Sequence, residues 1–492
     1  MQLEVRQIDM ETKSPTVILY DEDAEELGVK PLDRIQIHNE GDTVVGIVET
    51  TGELVSKGEI GVTSNLSGLS GDVGVSLAPK PESVYFIRKK LDDRGLDEDE
   101  IDRIVRDINE NRLNDIELGA YVSAIYTNGL SMEEIVNLTR SMVNVGDVVE
   151  WDSSFVADKH SIGGVAGNRV TPIIVSIIAA ADILIPKSSS RAITSPAGTS
   201  DTVEVLCDVE FGINKIREIV DKTNGCMVWG GSVNLSPVDD KIIRAEYPLS
   251  LDPYGQVLAS VLSKKKSTGS THVVIDIPYG EGTKVTNLSK AKEMAEDFKY
   301  VGNQLDMEVE CAITRGDQPI GNGIGPVLEA KDVLKVLKGE GPEDLRIKSL
   351  RLTEILLDMA KSNKNAEEIL DSGKALKKFK EIIEAQNGDP NVEPEDLELG
   401  EYKNHIRSPD DGEVTHIDNE LISEIAGRAG APKDKKSGIY LHKKEGEEVR
   451  EGEKLYTIYS EKKEKLEEAL NLTEKVEEVR VREKNESLVK KI

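Results

Sequence analysis

Residues 158–168 constrain the fold more than any other stretch of the chain. They read Asp-Lys-His-Ser-Ile-Gly-Gly-Val-Ala-Gly-Asn and lie between an extended run at 148–151 and a long apolar segment at 171–181. Thr171 is a good helix N-cap, and Pro172 suits the first helical position. The glycines are therefore predicted to lie where a strand turns into a helix, as in an α/β domain.

A loop of this kind favours the binding of an anion. Its backbone N–H groups point outward at the positive end of a helix dipole, and Lys159 and Ser161 add a cation and a hydroxyl donor. The stretch matches neither the G-x-x-x-x-G-K-[ST] phosphate loop nor the G-x-G-x-x-G dinucleotide motif. Local sequence alone leaves a plain tight turn as the alternative to a phosphate site.

Two motifs make the sequence similar to a known family. Asp-Lys-His-Ser-x-Gly-Gly-Val at 158–165 and Ser-x-Arg followed by Gly-Thr-x-Asp within 189–201 resemble motifs of the thymidine and pyrimidine-nucleoside phosphorylases. The resemblance runs from about residue 85 to the C-terminus. It implies an α/β protein with the two-lobe nucleoside phosphorylase fold, in which a small helical lobe accompanies a large α/β lobe with a largely parallel sheet.

Four domains are expected along the 492 residues. Short alternating runs between turns at 1–84 are typical of a small β domain, and they resemble a double-psi barrel. Helical periodicity at 85–147 indicates the helical lobe, to which 236–267 return. Strands alternate with helices across 148–410, as in a largely parallel sheet. Short strands in 411–492 resemble a barrel-sandwich β domain.

The composition excludes several classes of function. A net charge of −30 argues against nucleic-acid binding, which needs a basic face. No apolar run is long enough for a membrane span, and the N-terminus has no signal-peptide pattern, so a cytoplasmic protein without membrane contact is expected. The three cysteines and six histidines show no disulfide or metal spacing. The charged segment from Glu461 is expected to be a solvated face or a flexible end.

The resemblance assigns residues to inorganic phosphate and to a nucleotide. It implies that Lys159, Ser161, Gly163 and Thr199 bind phosphate, which must be held below the anomeric carbon during phosphorolysis. The implied nucleotide contacts are Gly164, Ser190, Arg191, Ala192, Ile193, Thr194, Ser195, Thr199, Ser260, Lys264 and Lys284.

Proton delivery to the leaving base has two candidate residues. Ser260 and Lys264, four apart on one helical face, match base contacts of the family. Asp252, near the start of that helix, is the favoured catalytic acid, a role for which burial would have to raise its pKa; the alternative is a helix cap. His160 is the rival catalytic proton donor, or it orients its own loop.

The departures from the family pattern indicate the substrate. The usual Asp-x-Lys-x-Gly-x-Gly strand end appears as Asp-Ile-Pro-Tyr-Gly-Glu-Gly-Thr-Lys at 276–284, so the lysine moves to Lys284. With a hydroxyl-rich loop at 190–195, this cation suits the 5′-phosphate of a nucleotide; a surface lysine in a turn is the alternative. The resemblance then implies AMP + phosphate = adenine + ribose 1,5-bisphosphate in nucleotide salvage, with CMP and UMP as further candidate substrates.

Three alternatives stay open. A pyrimidine-nucleoside or thymidine phosphorylase would not require the 5′-phosphate. A phosphoribosyltransferase of the anthranilate type shares the two-lobe fold but uses a sugar pyrophosphate with magnesium, and no acidic metal motif marks the sequence. A non-catalytic assembly protein is disfavoured by the set of Lys159, Ser161 and Thr199. No cofactor or metal is expected beyond phosphate as co-substrate, and the family resemblance implies a homodimer or higher homo-oligomer.

Overall fold

The computed structural model describes residues 1–482 apart from residues 13, 40, 193, 194 and 234. The chain divides into two compact units. One unit comprises Met1–Gly146 and Ser236–Ser260, and the other comprises Asp147–Leu235 and Val261–Ile492. Among the described residues, no helix is both long and apolar enough to cross a membrane.

The first unit begins with a closed barrel, which confirms the predicted N-terminal β domain. Its elements are β1 (Gln2–Gln7), β2 (Thr16–Tyr20), α1 (Asp21–Leu27), β3 (Arg34–Asn39), β4 (Asp42–Thr51), β5 (Glu59–Val62) and β6 (Asp72–Leu77). Strands β1 and β5 pair in parallel, as do β2 and β4, and β1 closes the barrel against β6. Alternate residues such as Ile35 and Ile37 are buried in the barrel core, as the period of two along a strand requires.

Amphipathic helices follow the barrel in the same unit: α2 (Ser83–Leu91), α3 (Glu98–Asn109), α4 (Asp115–Asn128) and α5 (Met132–Asn144). Their apolar faces share one core. Arg34 of β3 is buried, and its guanidinium donates to the Arg112 carbonyl oxygen at 2.9 Å and to the Glu117 carboxylate at 3.1 Å. A buried ion pair therefore joins the barrel to the helical part of this unit.

The α/β part of the chain alternates strands and helices as expected. Up to β9 its elements are β7 (Ala157–Ser161), α6 (Thr171–Ala180), β8 (Ile185–Ser189), α7 (Thr199–Val203), α8 (Ile213–Thr223) and β9 (Gly225–Trp229). Two helices of the 237–267 segment come next in the sequence, α9 (Pro237–Glu246) and α10 (Tyr254–Ser267). The remaining elements are β10 (His272–Tyr279), α11 (Leu288–Asn303), β11 (Glu308–Arg315), β12 (Gly323–Ile324), α12 (Pro326–Leu337), α13 (Glu343–Met359), α14 (Ala366–Asp371) and α15 (Lys374–Ala385). Helix α9 belongs to the first unit, and α10 begins there and ends in the second.

Strands β7 to β11 of the second unit pair in parallel. Strand β10 pairs with β7 and β11, β8 pairs with β9, and a bridge from Val156 to Leu184 links the two groups. The carboxyl ends of β7, β10 and β11 therefore lie at one edge of the sheet, where ligands bind in open α/β sheets.

The strand before the glycines was placed too early in the sequence. Residues 148–151 form no strand; Lys159, His160 and Ser161 are themselves the last residues of β7. Helix α6 begins at Thr171 with Val170 as its N-cap, so the prediction of Thr171 as N-cap was wrong by one residue. Strand β7 carries Asp158 and Lys159, whereas buried parallel strands are usually apolar. These charged residues are tolerated because their charges are paired.

The C-terminal β domain contains β13 (Tyr402–Arg407), β14 (Gly412–Ile417), α16 (Asn419–Arg428), β15 (Gly438–Leu441), β16 (Glu448–Val449), β17 (Lys454–Ser460), α17 (Lys463–Thr473) and β18 (Val479–Arg482). Its two sheets have the orders β12-β15-β17-β13 and β16-β14-β18, so β12 is part of this domain's sheet. The expectation for the segment from Glu461 was wrong in part, because α17 forms there and buries Leu466 and Ala469.

Candidate active site

Loops from β7, β10 and β11 come together at the carboxyl edge of the sheet. Gly164, in the loop after β7, has φ +84°, and a methyl group there would lie 2.8 Å from the backbone nitrogen of Lys284. Gly167 has φ +69° and packs against the carbonyl oxygens of Ile320 and Gly323. These close approaches require glycine. The fold thus brings the backbone of Lys284 against the glycine loop, although 120 residues separate Gly164 and Lys284 in sequence.

A buried carboxylate organises the residues below these loops. Asp276 of β10 is 0% exposed and accepts hydrogen bonds from Ser161 Oγ at 2.8 Å, Thr314 Oγ1 at 2.7 Å and Asn168 Nδ2 at 3.2 Å. The ammonium of Lys348 on α13 lies 2.9 Å from its Oδ2 atom. Burial by itself would raise the pKa of Asp276, but the Lys348 ammonium and the hydrogen bonds lower this pKa below its usual value. The carboxylate is therefore ionised and holds Ser161 in place.

Lys159 lies beside this carboxylate within a group of cations. Lys159 is 2% exposed, and burial lowers the pKa of its ammonium to about 7. Asp276 raises this pKa, while Lys348 and Arg169 lower it. A buried lysine next to other cations is stabilised in its charged form by an anion, so this arrangement suits a phosphate ligand.

Arg169 connects the glycine loop to Thr199, and it was missed in the sequence. Its guanidinium donates to Thr199 Oγ1 at 2.7 Å, to the Ala197 carbonyl oxygen at 2.8 Å and to Glu329 Oε2 at 2.7 Å. Glu329 is 1% exposed, so Arg169 brings a paired charge to the phosphate side. The sequence shows an arginine just after the last glycine of the loop, which is the signal that could have indicated this role.

His160 lies near a second paired group. Asp158 is 0% exposed, accepts a hydrogen bond from Lys265 Nζ at 2.8 Å and lies 3.6 Å from Lys187 Nζ. Burial and the cations Lys265, Lys187, Lys159 and Lys264 hold the pKa of His160 well below its usual value. The imidazole is therefore neutral at neutral pH.

The loop after β8 is fixed by ion pairs. The guanidinium of Arg191 donates to both oxygens of Glu204 at 2.7 and 2.6 Å and to Glu210 at 2.7 Å, and it lies 4.9 Å from the centre of the Trp229 ring. These contacts raise the pKa of Arg191 above its usual value. The side chain of Arg191 is thus engaged by carboxylates of the protein itself.

The backbone of the same loop is held by Asp201 on α7. Its Oδ2 atom accepts the N–H groups of Ala192 at 2.7 Å and Gly198 at 2.9 Å. Ser190 and Ser195 are exposed. Ile193 and Thr194, which the resemblance also assigns to the nucleotide, lie outside the described residues.

The residues assigned to the base lie on and before α10. Asp252 is exposed, so the burial expected for a raised pKa is not found. Ser260 in the first unit and Lys264 in the second are half-buried and four residues apart on this helix. Lys264 contributes to the electrostatic environment of His160. Lys284 is exposed at the carboxyl edge of the second unit.

Lys348→Met is expected to destabilise the protein by about 3–5 kcal/mol, because it removes the ammonium that lies 2.9 Å from the buried Asp276 carboxylate. Urea unfolding measures this change. Lys299→Met is the matched control: its ammonium pairs with Glu310 at 2.8 Å, but both side chains are about two-fifths exposed. Its loss is expected to cost less than about 1 kcal/mol. Equal losses in the two variants would contradict the role assigned to Lys348.

Three family models match parts of this chain. The glycosyl transferase family, helical bundle domain, matches residues 84–146, and the glycosyl transferase family, a/b domain, matches residues 153–376. The pyrimidine nucleoside phosphorylase C-terminal domain matches residues 413–479. These matches confirm the two-lobe fold and the C-terminal domain expected from the sequence.

Similar proteins are known over the full length of the chain. An AMP phosphorylase of Natronomonas pharaonis is 54% identical over 100% of both chains. An AMP phosphorylase of Methanococcus vannielii is 44% identical over 97% of each chain. Among solved structures, the anthranilate phosphoribosyltransferase of Thermus thermophilus covers 61% of this chain and 99% of its own, with a TM-score of 0.52 and 15% identity. The last likeness concerns the fold alone.

Proposed function

This chain belongs to the AMP phosphorylase family, and we propose from this membership that it cleaves the N-glycosidic bond of AMP with inorganic phosphate. The products are adenine and α-D-ribose 1,5-bisphosphate, so the enzyme is a pentosyltransferase. The observation that carries the proposal is the cationic group of Lys159, Arg169 and Lys348 around Ser161 and Thr199. The alternatives weighed from the sequence are not favoured, because the relatives that match the full length are AMP phosphorylases.

On the phosphate side, Lys159, Ser161 and Thr199 hold the attacking phosphate, and Gly163 provides its backbone N–H group. The Ser161 hydroxyl donates to Asp276 in this structure. It is able to turn toward phosphate because Lys348 and Thr314 still stabilise the carboxylate. Fixed donors and cations of this kind stabilise charge without reorganisation during the reaction.

The nucleotide 5′-phosphate binds at Lys284, with the backbone of Gly164 and the loop 190–195 as its other contacts. Support comes from the packing of Gly164 against the Lys284 backbone. Arg191 and Ala192 hold the shape of this loop through Glu204 and Asp201. A lysine serves as a point charge for phosphate, in contrast to the bidentate contact of an arginine.

Lys284→Ala is expected to raise the KM for AMP roughly thirty-fold and to leave the KM for phosphate nearly unchanged, because a charge-assisted hydrogen bond to the 5′-phosphate is lost. Initial-rate kinetics with each substrate varied in turn measure both constants. Lys292→Ala, an exposed lysine on α11, is the control and keeps both values. Equal rises in the two KM values would show that Lys284 does not bind the 5′-phosphate.

The proton for the departing adenine comes from Asp252. His160 is neutral, because burial and nearby cations hold its pKa well below the usual value of a histidine. It therefore donates a hydrogen bond but carries no extra proton to transfer. Ser260 and Lys264 orient the base on α10.

Phosphate-dependent release of base from AMP, CMP, UMP, adenosine and thymidine, assayed in parallel, tests the function. Release from the monophosphates alone is expected, with CMP and UMP as slower substrates than AMP. Release from the free nucleosides alone would contradict the requirement for a 5′-phosphate and would return the assignment to the pyrimidine-nucleoside phosphorylases.

The reaction uses inorganic phosphate as co-substrate and no further cofactor. The partners are small molecules: AMP, other nucleoside monophosphates and phosphate. A homo-oligomer in the cytoplasm stays a prediction from the sequence, and its size in solution is measured by light scattering.

A further inference from the structure

The C-terminal β domain has no role in the chemistry described so far, yet one of its buried side chains joins two loops of the site. Asn419, the first residue of α16, is 2% exposed. Its Oδ1 atom accepts the N–H of Ala166, in the loop after β7, at 3.2 Å. Its Nδ2 atom donates to the carbonyl oxygen of Gly316, directly after β11, at 2.8 Å.

Asn419 also lies beside the loop after β10, which carries Lys284. Gly282 has φ +76°, and a methyl group there would lie 3.6 Å from Asn419 Cβ. Gly282 is two residues before Lys284. The Asn419 side chain thus joins the loops after β7 and β11 by accepting one hydrogen bond and donating another, and it lies beside the loop after β10. Only an amide provides both functions at this length.

Other residues of the domain strengthen the same connection. The ammonium of Lys444 donates to the carbonyl oxygens of Pro319 and Gly321, in the loop that follows β11. The ammonium of Lys435 lies 3.2 Å from Oδ1 of Asp201, whose other oxygen holds the loop after β8. The C-terminal domain is therefore bonded to several of the loops that bind the substrates.

We propose that Asn419 is a positioning residue for the 5′-phosphate subsite. It fixes the loop of Ala166 relative to Gly316 and Gly282, so that the Lys284 ammonium is held where the nucleotide phosphate binds. The proposal rests on the proposed function, since it concerns the binding of AMP. It gives the C-terminal domain an indirect part in substrate recognition, because a binding group is effective only when neighbouring residues hold it in its binding geometry.

Kinetics of Asn419→Ala test the proposal. The KM for AMP is expected to rise about tenfold, since a displaced binding group loses most of its interaction. Asn419→Asp, which keeps the size and the acceptor for Ala166 but loses the donor to Gly316, is expected to fall between wild type and Asn419→Ala. It replaces Asn419→Ala in the test if that variant does not fold. Asn471→Ala, an exposed asparagine on α17, is the control and keeps the wild-type KM.

A double-mutant cycle separates positioning from a general loss of structure. If Asn419 acts through Lys284, adding Asn419→Ala to Lys284→Ala raises the KM for AMP no further than Lys284→Ala alone, because coupled residues are not additive. Two results would overturn the proposal for Asn419 without affecting the proposed function. One is a double variant in which the two increases in KM for AMP multiply, and the other is an unchanged KM in Asn419→Ala. Wild-type protein that does not cleave AMP would overturn the proposed function, and this inference with it.

Discussion

Lys159→Met is expected to lower kcat/KM by about a hundred- to a thousandfold, since removing a preorganised charge at the reacting phosphate costs roughly 3–4 kcal/mol of transition-state stabilisation. Lys159 is 2% exposed beside Asp276, so a neutral side chain of similar length leaves the site without its central cation. Steady-state assays with AMP and phosphate measure the loss. The melting temperature should not fall, because burial disfavours the charged lysine in the folded protein. Unchanged turnover would place the phosphate elsewhere.

The same lysine predicts the pH dependence of phosphate binding. Burial and the cations Lys348 and Arg169 lower the pKa of Lys159 to about 7, so the ammonium loses its proton as pH rises through that value. The KM for phosphate is therefore expected to rise above about pH 7, by up to about tenfold per unit. Lys159→Arg keeps its charge at all these pH values and should flatten the rise. A KM for phosphate that is constant from pH 6.5 to 9 in the wild type would contradict this assignment.

Asp252→Asn is expected to lower kcat for AMP by about a thousandfold, within the range of general acid catalysis, with little change in KM. An asparagine amide keeps the size of the carboxyl group but has no proton to give to the departing base. Stopped assays of adenine release under saturating AMP and phosphate measure kcat. The matched control is Asp306→Asn, an exposed aspartate with φ +55° in the turn before β11, where asparagine is well tolerated.

His160→Gln separates the two candidate acids. Since His160 is neutral, glutamine, which also donates a hydrogen bond, should lower kcat much less than Asp252→Asn does. A near-wild-type kcat in Asp252→Asn together with a large loss in His160→Gln would transfer the proton-donor role to His160. Because Asp252 is exposed in this structure, this comparison decides a role that was favoured from its position near the start of α10.

The order of elements and much of the phosphate side could be predicted from the sequence. Lys159, Ser161 and Thr199 could be proposed as phosphate contacts because their motifs are local and specific, and this role stays a prediction. Arg169, Lys348 and the part played by Asp276 were not found, because their partners lie far away: 72 positions separate Asp276 from Lys348, and their pairing depends on the packing of α13 on β10. Periodicity within one segment carries no information of that kind.

Two errors of local structure have related causes. The residues 157–161 were not predicted as a strand, because Asp158 and Lys159 are uncommon in a buried strand unless tertiary contacts neutralise them. Helix α17 was not predicted because its segment is highly charged. The burial of Leu466 and Ala469 is seen only in the structure. In both places the surroundings, and not the propensity of the segment, decide the structure.

The ion pair between Arg34 and Glu117 has a consequence for biosynthesis. The Glu117 carboxylate also accepts the N–H of Asn114 and so completes the cap of α4. Arg34 precedes it by 83 positions and leaves the ribosome first. Since N-terminal domains generally fold first during synthesis, the barrel is formed when α4 emerges, and its arginine is ready to receive the first turn of that helix. The barrel thereby offers a preformed contact for α4 as that helix emerges.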